Sequence, residues 1–168
     1  MQMKKKLYIE TSVWNQLEHD DRPEWRETAE KFIATLSRNI YESYISDVVI
    51  REIEATRDRV LQRKLADHIS AISPVLLQTD EEVEALTDMY MKSGLAAADS
   101  IRVYNDCSHV AIATVNEIRH IVSFNCKHLV NDKRIDAFNA INFQNGYELV
   151  IDITMPHRFI VDAGQEII

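Results

Sequence analysis

Short apolar runs of strand length alternate in this chain with longer segments of helical periodicity, and no other property narrows the possible folds as far. Leu7–Ile9, Glu42–Ile45, Val75–Leu77, Ile121–Phe124 and Glu148–Ile153 read as strands. Between them, Trp25, Ala29, Phe32, Ile33 and Leu36 keep the three-and-four spacing of an amphipathic helix over 24–37. Val60, Leu61, Leu65, Ile69 and Ile72 do the same over 59–72, where Ser73-Pro74 ends the pattern. Further helices are predicted from the N-cap residues Thr11-Ser12, from Ser46 or Asp47 to about Thr56, from Thr79-Asp80 to Lys92, over about 106–116 and over 133–140. Strands separated by helices must cross back before pairing, which calls for a parallel sheet with right-handed crossovers. The expected fold class is therefore α/β: a parallel, twisted sheet of four to five strands flanked by helices, with the last strand at an edge.

At 168 residues the chain suits one domain, taken as 1–168, long enough to bury roughly 70% of its unfolded surface. Only three Gly and three Pro leave little room for linkers. The opening Met-Gln-Met-Lys-Lys-Lys is followed by an apolar run that stops at Glu10, short of the about 7–15 residues of a secretion signal. Nothing approaches the roughly 20 apolar residues of a membrane span, so no membrane association and a cytoplasmic location are expected. In that compartment Cys107 and Cys126 are expected to stay as free thiols. The net charge of −8 argues against a protein that coats nucleic acid non-specifically, because such binding is driven by phosphate neutralisation. An enzyme with a local basic rim and an acidic metal site remains open.

Four segments place a carboxylate or its amide where a strand gives way to a helix: LYIETSVWN around Glu10, SDVVIREIEAT around Glu52, NDCSHVAIATV around Asp106 and HIVSFNCKHLVN around Asn125. In open parallel sheets ligands bind outside the carboxyl ends of the strands, so the four can meet at one rim. Mg²⁺ and Mn²⁺ take oxygen ligands, commonly one or two carboxylates completed by water and substrate phosphate. Glu10, Glu52 and Asp106 supply three carboxylates as metal ligands, and Asn125 a neutral oxygen or a hydrogen bond to a ligand water. Ions held in this way activate water against a phosphodiester.

With these residues the chain resembles the PIN-domain family, Mg²⁺- or Mn²⁺-dependent single-stranded ribonucleases that include the VapC-type toxins of toxin–antitoxin pairs. The family's strand-ending Asp-Thr-Ser falls on Glu10, Thr11 and Ser12, and its helix Glu on Glu52. Its Asp-x-x-His-x-Ala motif, in which the Asp opens an Ala-rich helix, matches Asp106, His109 and Ala111, and its last acidic position falls on Asn125. The likeness runs from the first strand to the Gly146-Tyr147 turn and the final strand. It implies a PIN-like three-layer fold, a metal-dependent endoribonuclease acting on single-stranded RNA, a small antitoxin protein as partner, and a homodimer. Two departures stand out: Glu10 lengthens the usual Asp by one methylene, and Asn125 removes one negative charge, which weakens a second metal position.

Each residue also admits a plainer role. Asp106 can serve as the negative charge at its helix N-terminus, and Asn125 as a turn or cap residue. Glu54 competes with Glu52, but residues two apart on a helix turn by about 200°, so only one can face the site. Cys107-x-His109 and Cys126-x-His128 suggest zinc, yet side chains two apart on a helix diverge and do not share a tetrahedral ion. His109 then reads as a buried, hydrogen-bonded residue. Thr11, Asn15, Lys127 and His128 are candidates to line the substrate groove, Trp14 reads as core, and Arg51, Arg57, Lys127 and Lys133 are candidate phosphate contacts. The second function class is a PIN-like nucleic-acid-binding or regulatory module whose metal site has degenerated.

Overall fold

The computed structural model describes residues 3–95 and 100–164. Five parallel strands form one sheet: β1 (Lys6–Ile9), β2 (Glu42–Ser46), β3 (Val75–Leu77), β4 (His120–Val122) and β5 (Asp152–Thr154), in the order β3-β2-β1-β4-β5. Seven helices accompany them among the described residues: α1 (Thr11–Gln16), α2 (Pro23–Ser37), α3 (Asp47–Glu54), α4 (Arg59–Ile72), α5 (Glu81–Lys92), α6 (Ile101–Val115) and α7 (Asp132–Gln144). The chain moves from β1 outward through β2 to β3, then returns to β4 on the other side of β1. Its direction of travel therefore reverses between β1 and β4, and the crevice at their carboxyl ends is where ligands bind in sheets of this kind.

Alternation along β1 explains the layering. Leu7 and Ile9 enter one core with Val13, Trp14, Phe32, Val49 and Leu65 from α1 to α4, while Tyr8 enters a second with Tyr90, Val110, Ile112 and Phe138 from α5 to α7. Each fully buried large apolar side chain contributes on the order of 1.5–3 kcal/mol by leaving water. Both faces of the sheet are thus covered, as its short, nearly continuous apolar strands require.

Local chemistry sets the helix ends. Asp58 caps α4 by accepting from the amides of Val60 and Leu61, and Asp80 caps α5 by accepting from Val83. Ser46 rather than Asp47 caps α3, leaving Asp47 to accept from the amide and hydroxyl of Thr79.

Four sequence expectations are corrected. The cap of α1 is Glu10, whose carboxylate accepts from the Ser12 amide, and Thr11 and Ser12 lie inside the helix. α6 begins at Ile101, with Ser100 Oγ accepting from the Val103 amide, so Asp106 stands a turn and a half inside and is not its dipole-end charge. β4 ends at Val122, because beyond Ser123 the chain is drawn into a turn by Ser12 Oγ, which accepts from the Phe124 amide. β5 starts only at Asp152, since the amide and carbonyl of Ile151 are taken by the side chain of Asn139 on α7.

Ala111 sits fully buried where α6 packs into the second core. Ala111→Leu is expected to overpack that layer at a cost of about 1–3 kcal/mol, lowering the melting temperature by about 2–4 °C per kcal/mol in a domain of this size. Ala140→Leu on the exposed side of α7 should stay within about 0.5 kcal/mol. Thermal and urea unfolding of the two variants distinguishes them.

Candidate metal centre

Glu10 leaves β1 with its amide bonded to Val122 O of β4 at 3.0 Å, directly over the reversal point. Its carboxylate is heavily engaged. Oε1 accepts from Ser12 Oγ at 2.7 Å and Ser123 Oγ at 2.5 Å, and Oε2 accepts from the Ser12 amide at 2.8 Å. Glu10 thus also caps a helix and ties the end of β1 to the turn after β4.

Glu52 lies on the face of α3 turned to the same crevice, whereas Glu54 is exposed on another face. Its Oε1 accepts from Thr11 Oγ1 at 2.8 Å and lies 2.5 Å from His109 Nε2. Burial opposes its ionisation, but the hydrogen bond and charge of His109, with help from Thr11, outweigh burial and hold its pKa below the ordinary carboxylate range. The ring of His109 is fully buried, and its Nδ1 lies 2.6 Å from the Tyr8 hydroxyl, which in turn lies 2.7 Å from Ser46 Oγ. Burial works against a charged imidazole, yet Glu52, Glu10 and Asp106 together raise its pKa above the usual value. Burial also holds the Tyr8 phenol well above its usual pKa.

Asp106 is the least supported carboxylate. Asn125 Nδ2 donates to its Oδ1 at 3.2 Å, while Asn125 Oδ1 accepts from the His128 amide at 3.0 Å, so Asn125 both closes a turn and touches the site. Burial first, and then the charges of Glu10 and Glu52, push the Asp106 pKa up to about 7 against the partial relief of His109 and Asn125.

A cavity of about 570 Å³ opens over these groups, lined by Glu10, Glu52, Asp106 and Asn125 and by all four groove candidates, Thr11, Asn15, Lys127 and His128. Thr11 is committed to Glu52, and Nδ1 of His128 is a sealed nitrogen with no hydrogen-bond partner among the described residues. The sequence reading missed Ser100, Arg102 and Val103, which line the same cavity, and gave Ser12 no role in it. Arg51 lies over an adjoining cavity that shares Glu52 and Arg102 with the first, Arg57 and Lys133 line neither, and Trp14 is wholly buried in the core. The cysteines do not converge. Cys107 is buried in the second core, where burial pushes its thiol up to about 12, and Cys126 is exposed.

Glu10, Glu52 and His109 each offer one ligand atom, all within 4.8 Å of one another, a grouping that could hold a metal ion. The third member of this tight set is His109; the expected Asp106 lines the same cavity but falls outside the set. His109 follows Asp106 by three positions, a spacing that puts both on one side of α6. That signal was present in the sequence. Among the described residues no Lys or Arg forms an ion pair with Glu10, Glu52 or Asp106. Among the described residues no helix is long and apolar enough to cross a membrane. Compared with known proteins, the sequence matches no family model and none of the curated proteins.

The raised pKa of Asp106 makes a signed prediction for metal-free protein. The folded state holds this proton up to about pH 7, whereas the unfolded chain releases it near about pH 3.9. The native state therefore binds the extra proton in that window, and its stability falls as pH rises through it. In chelator, Asp106→Asn should melt above the native chain at pH 8, by about 2–4 °C for each kcal/mol relieved. The advantage should vanish near pH 4, as followed by thermal unfolding across the range.

Proposed function

We propose that this chain is a metal-dependent endoribonuclease that hydrolyses phosphodiester bonds of single-stranded RNA, with Mg²⁺ or Mn²⁺ as cofactor. One observation carries the reading: three carboxylates share a crevice at the sheet's reversal point, and among the described residues no Lys or Arg forms an ion pair with any of them. Glu52 Oε2 and Asp106 Oδ2 accept no hydrogen bond from the described residues, and neither is a sealed atom. Hard oxygen donors of that kind suit Mg²⁺ or Mn²⁺.

A bound ion would supply Lewis-acid stabilisation of the phosphate and a water of lowered pKa. The protein's own contribution is placement. Serine hydroxyls hold Glu10, Thr11 and His109 hold Glu52, and Asn125 holds Asp106. Lys127 and Arg102, exposed on the cavity wall, are suited to the phosphates flanking the cleaved bond. Burial and the neighbouring Arg134 and Lys127 hold the His128 pKa below its usual value, so at neutral pH its imidazole is uncharged and able to accept a proton. The adjoining cavity of about 600 Å³, with Arg51, Arg102 and Tyr104 on its walls, offers a continuing path for a strand longer than one nucleotide.

The PIN-domain resemblance of the four motifs supports the same reading. It suggests the toxin of a toxin–antitoxin pair, with a small antitoxin and a second copy of the chain as partners. A labelled single-stranded RNA should be cut in Mn²⁺ and not in chelator. Asp106→Asn should lower kcat/KM by more than about 100-fold, beyond the range typical of residues that only support a ligand. Arg102→Ala should raise KM several-fold with kcat nearly unchanged. Wild-type protein that cuts no RNA with either ion defeats the proposal.

A second reading, a nucleic-acid-binding or regulatory module without turnover, is favoured by the state of Glu10. The residue is 4% exposed and its carboxylate already accepts three hydrogen bonds, as a structural cap would. On that reading the double variant Glu10→Asp, Asn125→Asp gains cleavage that the native chain lacks. Cleavage by the native chain excludes it.

A further inference from the structure

We infer that His109 is a positioning residue that aims Glu52 into the cavity, locked by Tyr8 and Ser46, and not a metal ligand although its Nε2 lies among the ligand atoms. The inference rests on the metal-site reading above. It is carried by a continuous buried chain running from Ser46 Oγ through the Tyr8 hydroxyl and both nitrogens of His109 to Glu52 Oε1, with contacts of 2.7, 2.6 and 2.5 Å.

Donor and acceptor capacity sets the direction of that chain. An ionised carboxylate only accepts, so His109 Nε2 must carry the hydrogen that meets Glu52. A ring nitrogen bearing hydrogen has no lone pair for a metal, whether or not Nδ1 is protonated as well. In the neutral ring Nδ1 accepts, Tyr8 donates to it, and Ser46 donates to Tyr8 while accepting from the Val48 amide at 3.2 Å. Every donor then has an acceptor. For Nε2 to ligate, Nδ1 would have to donate to Tyr8 and Tyr8 to Ser46. The hydroxyl hydrogen of Ser46, a fully buried residue, would be left without an acceptor, a cost of about 1–3 kcal/mol.

The chain also exposes the right oxygen. Thr11 and His109 both occupy Glu52 Oε1, so Oε2 alone is left to face the cavity. Groups behind a metal ligand commonly set its orientation, and their loss weakens metal binding by about 10–100-fold. Tyr8 reaches His109 because strand alternation turns it toward α6, away from Leu7 and Ile9.

The test titrates full-length protein with Mn²⁺ alone, following free ion by electron paramagnetic resonance and reading nitrogen coupling to the bound ion by pulsed measurement. Bound Mn²⁺ should show no directly coordinated nitrogen. His109→Ala should weaken binding about 10–100-fold, and His109→Gln should recover most of it, because the glutamine amide places an N–H near the position of Nε2. In folded, metal-free protein, ¹⁵N spectra should show Nε2 of His109 protonated, a measurement that stands even where His109→Ala fails to fold. Direct nitrogen coupling lost in His109→Ala, a Gln variant as weak as Ala, or an unprotonated Nε2 overturns the inference while leaving a metal site in place. Wild-type protein that takes up no Mn²⁺ overturns both this inference and the metal reading.

Discussion

Crowding three carboxylates into one crevice, with no Lys or Arg in ion-pair contact among the described residues, is the constraint around which this structure is arranged. Charges a few ångströms apart repel by several kcal/mol even at the effective dielectric of a protein surface, on the order of 4 kcal/mol at 4 Å. The chain tolerates three carboxylates by surrounding them with donors: hydroxyls of Thr11, Ser12 and Ser123, the Ser12 amide, the Asn125 amide and the His109 imidazole, whose pKa the carboxylates raise. These donors come from both sides of the sheet reversal. The bonds between Glu10 and Ser123, and between Ser12 and the Phe124 amide, join residues more than one hundred positions apart. The contacts that make the acidic crevice bearable are therefore the ones that close the turn after β1 against the turn after β4.

Much of this architecture was legible because its causes are local. A three-residue apolar strand followed by a capping residue declares itself, and the alternation of such strands with helices leaves a parallel sheet as the economical solution. Carboxylates placed just beyond strand ends could be expected to meet, since topology and not detailed packing brings them together. The illegible parts have distant partners. The start of β5 was displaced because Asn139, on another element, captures Ile151. The start of α6 was misplaced because Asp106 looks like a helix opener when the hydrogen bond from the Val103 amide to Ser100 is unseen. Tyr8 read as an apolar strand residue, and its ring is indeed in the core, but nothing in the order of residues says that its hydroxyl will meet an imidazole 101 positions away.

The donors are shared unequally, and the inequality orders the carboxylates. Glu10 receives three hydrogen bonds and is nearly sealed. Glu52 receives two on one oxygen, including a charge-assisted contact with His109, and its pKa is depressed. Asp106 is largely buried, receives a single long bond among the described residues and faces the charges of the other two, so burial first and those charges second lift its pKa far above the ordinary value. A group so placed gains most from an added positive charge. Structural satisfaction and affinity for a cation run in opposite directions along this series, as expected where a site keeps part of its capacity for something outside the fold.

Asn125 is best understood from the same series. A carboxylate at this position would set a fourth negative charge beside Asp106 and bring no donor, whereas the amide brings a donor and no charge. The amide also keeps its oxygen for the His128 amide, shaping the turn that carries Lys127 and His128 to the cavity wall. In the absence of any cation the amide is the better neighbour, because it donates the hydrogen bond that Asp106, the least supported of the three carboxylates, receives. With a cation present it contributes less, since a neutral oxygen binds Mg²⁺ or Mn²⁺ more weakly than a charged one. An amide at position 125 thus favours stability of the empty fold over cation affinity at one edge of the crevice, and Glu52 and Asp106 are the oxygens on which any bound ion would chiefly depend.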